Sequence, residues 1–329
     1  MHNAAATFRD QDSDNLKPAW AAHHPLNRLG TPQEVAETVI FLAVGAGYIT
    51  GSDIFDRRRH PIGCFTHKHS RARTTHMINL TGKSIVISGG AGALGVAICR
   101  NLVGLGARVT ALDIATPEEA EVSFASTPAG LSYLQCDASD TGQVRASLQH
   151  VSAAQGPIDV VCCHAGIVGV SKVQSYDLEE FDALMKVNVR GSFVLAQEAA
   201  TRWLADQRKG NLIFTTSWVH QVPWPEITPY AASKAAVNAM MRGFAKELAP
   251  NGIRANAIAP GIVAAGMALK SWNENDDYRR RASIAIPLGE LQPVQSVADA
   301  MAFLCSDLSS YMTGSVLTVD GGCSLYPNT

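Results

Sequence analysis

The chain has 329 residues, 47% of them apolar and 17% charged, with 27 Lys and Arg against 29 Asp and Glu and a formal charge of −2. So even a balance leaves no global field to hold a nucleic acid or an anionic membrane surface, and the apolar fraction is that of a globular rather than a disordered chain. No apolar run reaches the ~18 residues of a membrane-spanning helix, the first fifteen residues carry three Asp and no apolar core of a secretory signal, and seven irregularly spaced Cys point to free thiols in a reducing, cytoplasmic setting.

The first unusual feature along the chain is an internal repeat. His24 to Ala43 aligns with Ile286 to Cys305, and Pro25, Leu26, Leu29, Val35, Ala36, Phe41 and Leu42 match their counterparts at a constant offset of 262. After a one-residue gap, Tyr48-Ile-Thr-Gly-Ser52 matches Tyr311-Met-Thr-Gly-Ser315. One copy is too few for a solenoid. Residues 1–76 are therefore expected to be a non-catalytic extension, a degenerate copy of the C-terminal segment. Within it, Gln33–Val44 is helix-like, and it and Tyr48–Phe55 could compete with residues 294–318 for one groove, as in domain swapping. Residues 57–76 hold six basic residues, four His and no acid, without Cys partners at zinc-ligand spacing, so they are read as a connector and no metal is expected. Met77 then opens a second segment, 77–329, with 18 basic and 22 acidic residues and a formal charge of −4. It is expected to be the whole functional domain.

From there short apolar runs alternate with helical patterns, which predicts βαβ units. The runs are Ser84–Ser88, Arg108–Asp113, Ser132–Cys136, Asp159–His164, Asn211–Thr216, Ile253–Ala259 and Ser315–Val319. Continuous rather than alternating apolar residues suit strands covered on both faces. Between them, helices are predicted over Leu94–Gly104, Thr141–Ala153, Leu178–Gln207, Pro229–Ala249 and Val294–Leu304. The expected fold is α/β: a doubly wound, mostly parallel seven-stranded sheet with helices on both faces.

The first strand runs into Gly89-Gly-Ala-Gly-Ala-Leu-Gly95 and then a helix. Glycines at a strand-to-helix turn let backbone N–H groups approach a pyrophosphate, and the helix dipole favours the negative charge. The next strand ends at Asp113, 24 residues after Gly89, where a dinucleotide fold places its ribose-binding acid. A carboxylate there accepts from the ribose hydroxyls and repels a 2′-phosphate, and Ile114 and Ala115 bring no cation to receive one. NAD is favoured over NADP. Farther on, Pro229 suits the first turn of a helix that carries Tyr230 and Lys234 at i and i+4, on one face. Ser217, at the end of Asn211–Thr216, lies thirteen residues before Tyr230.

Ser88-Gly-x-x-x-Ala-x-Gly95, Asn188, Ser217, Tyr230-x-x-x-Lys234, Pro260-Gly261 and Thr318-Val-Asp-Gly-Gly322 together resemble the short-chain dehydrogenase/reductase family, over essentially all of residues 77–329. The resemblance implies a single-domain Rossmann fold, a nicotinamide cofactor and a homotetramer or homodimer. Carried over residue by residue, it makes Tyr230 the general acid/base and has Ser217 hydrogen-bond the substrate oxygen. Lys234 would hold the nicotinamide ribose and lower the Tyr230 pKa, and Asn188 would support a water-linked proton relay. A phenol of ordinary pKa about 10 is a poor base at neutral pH, so a nearby ammonium would help it take the alcohol proton. The cofactor would rest on Ser88, Gly89, Ala91, Gly92, Leu94, Gly95, Asp113, Ile114, Asp137, Ala138, His164, Ala165, Gly166, Pro260, Gly261 and Val263, besides Tyr230 and Lys234. Three positions depart from the family's pattern: Ala93 for a glycine, His164 for an Asn, and Ala265 for the Thr that bonds the carboxamide. The substrate pocket is placed in the segments after Ser217 and Gly261, with Trp218, His220, Trp224, Met267 and Trp272. Aromatic faces mixed with polar groups suit a sugar or polyol, a small molecule rather than a macromolecule. A carbonyl or 3-oxoacyl-thioester reductase is the near alternative, and a non-catalytic dinucleotide-binding regulator the one from another class.

Overall fold

A computed structural model describes residues 30–44 and 78–325. In chain order the elements are α1 (Pro32–Val44), β1 (Ser84–Ser88), α2 (Ala93–Gly104), β2 (Arg108–Asp113), α3 (Pro117–Phe124), β3 (Leu131–Gln135), α4 (Thr141–Gln155) and β4 (Val160–Cys163). Then come α5 (Leu178–Met185), a π-helical turn (Lys186–Gly191), α6 (Ser192–Ala205), β5 (Gly210–Thr215), α7 (Thr228–Leu248), β6 (Ile253–Pro260), α8 (Gly266–Glu274), α9 (Asp276–Ala285), α10 (Val294–Cys305) and β7 (Val316–Val319).

The seven strands form one parallel sheet in the order β3-β2-β1-β4-β5-β6-β7, as expected for a Rossmann fold. Side chains alternate across it, so β1 sends Ile85 and Ile87 to one layer and Val86 to the other. The first layer is packed by Ile98 and Leu102 of α2 and Val297 and Met301 of α10. The second is packed by Val144 and Leu148 of α4, Leu195 and Trp203 of α6, and Val237 and Met241 of α7. Both faces being covered explains why the strands read as uninterrupted apolar runs. The strand order reverses between β1 and β4, and that reversal opens a crevice at the carboxyl ends of the strands.

All seven expected strands are present, with ends shifted by at most one residue. The single helix expected over Leu178–Gln207 is instead two helices joined by the π turn, which changes the helical phase around Asn188. Helices α3, α8 and α9 were not anticipated. Helix α3 buries only Ala120 and Phe124, too little for an apolar stripe. It starts instead on a capping box between Thr116 and Glu119 with Pro117 behind it.

The helix expected at Gln33–Val44 is α1. The Thr31 N–H donates to Glu34 Oε2 at 2.8 Å, and the Glu34 N–H donates to Thr31 Oγ1 at 3.2 Å. It lies against the Asp307–Ser309 turn that follows α10, and Phe41 is buried with its ring stacked on Phe303 of α10. The Tyr48–Phe55 stretch, the basic tract 57–76 and Met77 lie outside the described residues.

Candidate active site

The crevice between β1 and β4 is a cleft of about 440 Å³ running from Asp113 at one end to Tyr230 and Lys234 at the other. Its floor depends on close backbone approach. A Cβ on Gly95 would stand 2.1 Å from the Gly89 carbonyl oxygen, so only glycine lets α2 start directly against the turn. Gly89 has φ +70° and lies against Ala165, where a Cβ would meet backbone at 2.8 Å. Ser88 Oγ accepts the N–H groups of His164 and Ala165, each at 3.1 Å, and so locks the ends of β1 and β4 together beneath the cleft. Helix α2 has no side-chain cap on Gly92, which leaves its first N–H groups facing the cleft for an external anion.

At the adenosine end, Asp113 is held by two backbone donors, Ala91 N–H at 3.0 Å and Ala115 N–H at 3.3 Å. Ala91 itself does not line the cleft; its contribution is this bond. Asp137 accepts from the Ser139 N–H at 2.8 Å and Ser139 Oγ at 2.7 Å, with Lys186 3.7 Å away. Burial opposes its charge, but those donors and the ammonium bring its pKa below the ordinary carboxylate value. Among the described residues lining the cleft, the only Lys or Arg is Lys234, at the far end. The uncapped helix start, the glycine floor and the carboxylate at the strand end fit a nicotinamide dinucleotide.

At the other end, Lys234 is buried and its Nζ donates to the Thr215 carbonyl at 3.0 Å, 5.6 Å from the Tyr230 ring centroid. Burial lowers its pKa to about 8. The Ser217 hydroxyl faces the Tyr230 phenol and favours its ionised form. Burial raises the Tyr230 pKa above its ordinary value, and only the Ser217 hydroxyl works in the other direction. Lys234 does not contribute the lowering expected of it, and the phenol is protonated at neutral pH. Asn188 is fully buried: its Oδ1 accepts the Ile167 N–H at 2.8 Å, and its Nδ2 donates to the Ile167 carbonyl and Ser233 Oγ, both at 2.9 Å. It does not line the cleft but fastens the segment after β4 to α7, the helix that carries Tyr230 and Lys234.

Of the other expected cofactor residues, Ser88, Gly89, Gly92, Leu94, Gly95, Ile114 and Ala138 line the cleft, as do His164, Ala165, Gly166, Pro260, Gly261 and Val263. The His164 ring bonds Thr215 Oγ1 at 3.0 Å, and burial together with the Lys234 charge lowers its pKa to about 4, so it is a neutral strut in the wall. Gly261 is required where it is, since a Cβ there would meet the Asp320 backbone at 2.7 Å.

The five residues assigned to a substrate pocket are not in this cleft. Trp218, Trp224 and Trp272 pack with the Tyr230 ring into an apolar cluster of their own, centred on Val219, Ile262 and Ile286. Trp218 and Trp224 meet edge to face at 5.4 Å. His220 turns its Nδ1 to the Ser217 carbonyl at 2.6 Å, leaving a buried Nε2 without a partner, and Met267 is half exposed on α8. Thr215, whose carbonyl holds Lys234 and whose hydroxyl holds His164, was missed; its only signal was the Thr215-Thr216-Ser217 run at a strand end. Among the described residues no three His, Cys, Asp or Glu side chains cluster as for a metal ion, and no helix is long and apolar enough to cross a membrane.

Comparison with known proteins agrees with this geometry. The family described as enoyl-(acyl carrier protein) reductase matches residues 2–56 and 89–324. The chain is 34% identical over 253 residues to 3beta-hydroxysteroid dehydrogenase 1 of Eggerthella lenta, covering 76% of this chain and 96% of that one. It is 37% identical over 191 residues to glucose 1-dehydrogenase of Gluconobacter oxydans, covering 58% of this chain and 71% of that one. A solved gluconate 5-dehydrogenase from Burkholderia cenocepacia, in complex with NADP and tartrate, superposes with a TM-score of 0.69 at 28% identity, covering 75% of this chain and 97% of that one.

Proposed function

The chain belongs to the short-chain dehydrogenase/reductase family of oxidoreductases, and from that premise we propose that it oxidises a secondary alcohol, of the sugar or polyol class, with NAD. The observation that carries the reading is the convergence of Ser217, Tyr230 and Lys234 at one end of the cleft whose other end is Asp113.

When bound, the nicotinamide supplies the hydride acceptor, and its dinucleotide would be held by the turn Gly89–Gly95, Asp113, Asp137, Gly166 and Lys234. The chain's own residues handle the proton. The Ser217 hydroxyl orients the substrate oxygen beside Tyr230, and the Tyr230 oxygen, once it has given its own proton to solvent, takes the alcohol proton as the C–H bond breaks and the hydride leaves. Lys234, fixed by the Thr215 carbonyl with its Nζ 5.6 Å from the Tyr230 ring centroid, would hold the nicotinamide ribose beside that ring. Asn188 keeps α7 in place against the segment after β4. Asp113 supports NAD because a 2′-phosphate would meet its carboxylate with no Lys or Arg beside it among the described cleft-lining residues. The sugar or polyol class is supported by the names of the glucose and gluconate relatives.

A second reading, carbonyl reduction, is favoured by the protonated state of Tyr230, since a phenol held above its ordinary pKa is ready to donate. Sugars, polyols, hydroxy acids and secondary alcohols assayed with NAD and NADP separate the two. Reduction of NAD by a polyol or sugar supports the proposal; no turnover of any hydroxyl substrate, with oxidation of NADPH by ketones, supports the second reading.

A further inference from the structure

Phe41 and Phe303 are equivalent positions of the internal repeat, 262 residues apart, and they touch each other: their rings stack with centroids 3.9 Å apart and planes 7° from parallel. When two copies of one element meet about a two-fold axis, residue i of one contacts j of the other and j contacts i, so a residue that meets its own equivalent sits on the axis. The α1–α10 contact has that property inside a single chain.

The faces of the two helices agree with this. In α10 the inner face, Val297, Ala298, Met301 and Ala302, is fully buried against the sheet. The corresponding residues of α1 are Val35, Ala36, Val39 and Ile40, and they face outward, with Val35, Val39 and Ile40 37%, 39% and 42% exposed. The covered face of α1 is the opposite one, with Phe41 buried and Glu34 and Thr38 half-buried, and their counterparts in α10 are Phe303, Ser296 and Ala300. The entry to α1 is fitted too: a Cβ on Gly30 would overlap the Tyr311 ring, and Glu34 Oε1 accepts from Ser310 Oγ at 3.3 Å. Thus α1 shows α10 its outer face and leaves its inner face bare, as the α10 helix of a neighbouring subunit would do, except that the neighbour's sheet is missing.

We propose that α1 occupies, within the chain, the place that α10 of a second copy of this chain would take about a two-fold axis through Phe303, and so closes this face to self-association. The extension is then a built-in competitor, and any oligomer of the full chain forms through other faces. A released α1 exposes Phe303, whose natural partner is the Phe303 of another copy.

The test is the mass of the full chain by light scattering at micromolar concentration, beside the variants Phe41→Asp and Thr38→Arg, with hydrogen exchange of residues 32–44 reporting whether α1 is docked. Both variants are expected to free those amides and double the mass, and adding Phe303→Asp to either is expected to restore the wild-type value. Two results would overturn the proposal: an unchanged mass in a variant whose 32–44 amides exchange freely, or a mass that falls when Phe303→Asp is introduced alone, since that face would then already join copies. Phe41, Thr38 and Phe303 are remote from the cleft residues, so dinucleotide binding serves as the check that each variant is folded.

Discussion

Lys234 Nζ donates to the Thr215 carbonyl at 3.0 Å, and this bond fixes the only cation among the described cleft-lining residues beside Tyr230. Burial of the ammonium, which lowers its pKa to about 8, makes it a costly group to keep. Between pH 8 and its unfolded value near 10.5 the unfolded chain binds the proton that the folded chain has lost, so this group adds stability as pH rises through that window. Urea denaturation at pH 7.5 and 9.5 is expected to show that gain for the native chain and its loss in Lys234→Met, where turnover falls ~10²-fold or more. Equal pH dependence in both would show that Lys234 is not buried as described.

His164 has the same sign at lower pH. Its pKa, about 4, lies below the ordinary 6.5, so stability present above pH 6.5 is lost as pH falls toward 4, by up to about 3 kcal/mol. His164→Asn is expected to flatten the fall in melting temperature between pH 6.5 and 4.5. A fall as steep as the native chain's would assign the acid sensitivity elsewhere.

Gly95→Ala brings a methyl to within 2.1 Å of the Gly89 carbonyl oxygen, a backbone atom that can yield only by moving the turn. A cost of about 1–3 kcal/mol is expected, together with loss of dinucleotide binding, both read by thermal melting with and without NAD. If NAD still raises the melting temperature as in the native chain, the turn is not the pyrophosphate site.

Asp113→Asn removes the charge and leaves one amide oxygen where two carboxylate oxygens separately accept the Ala91 and Ala115 N–H groups. KM for NAD is expected to rise about tenfold, ~1.4 kcal/mol, while KM for NADP falls. An unchanged ratio of the two would remove Asp113 from cofactor discrimination.

The sheet and the dinucleotide cleft were legible because each has a local cause. Strands such as β1 are continuous apolar runs, and the turn after it is written in glycines. The π turn at Lys186–Gly191 was not, because the helical period on either side hides a one-residue change of phase that only burial of Asn188 reveals. The tryptophans after Ser217 and Gly261 suit a substrate wall by residue type, yet they pack on Ile262 and Ile286, partners that no sequence spacing brings together. The repeat itself was plain, but that Phe41 would meet its own counterpart Phe303 rather than replace it is a property of the packed helices alone.

The central claim is that Tyr230 moves the proton. It is tested most directly by Tyr230→Phe, assayed for turnover with the best substrate of the panel and for NADH binding by fluorescence titration. Turnover is expected to fall at least ~10³-fold with NADH affinity within a few-fold of the native chain. Substantial turnover in that variant, with the cofactor still bound, would contradict it.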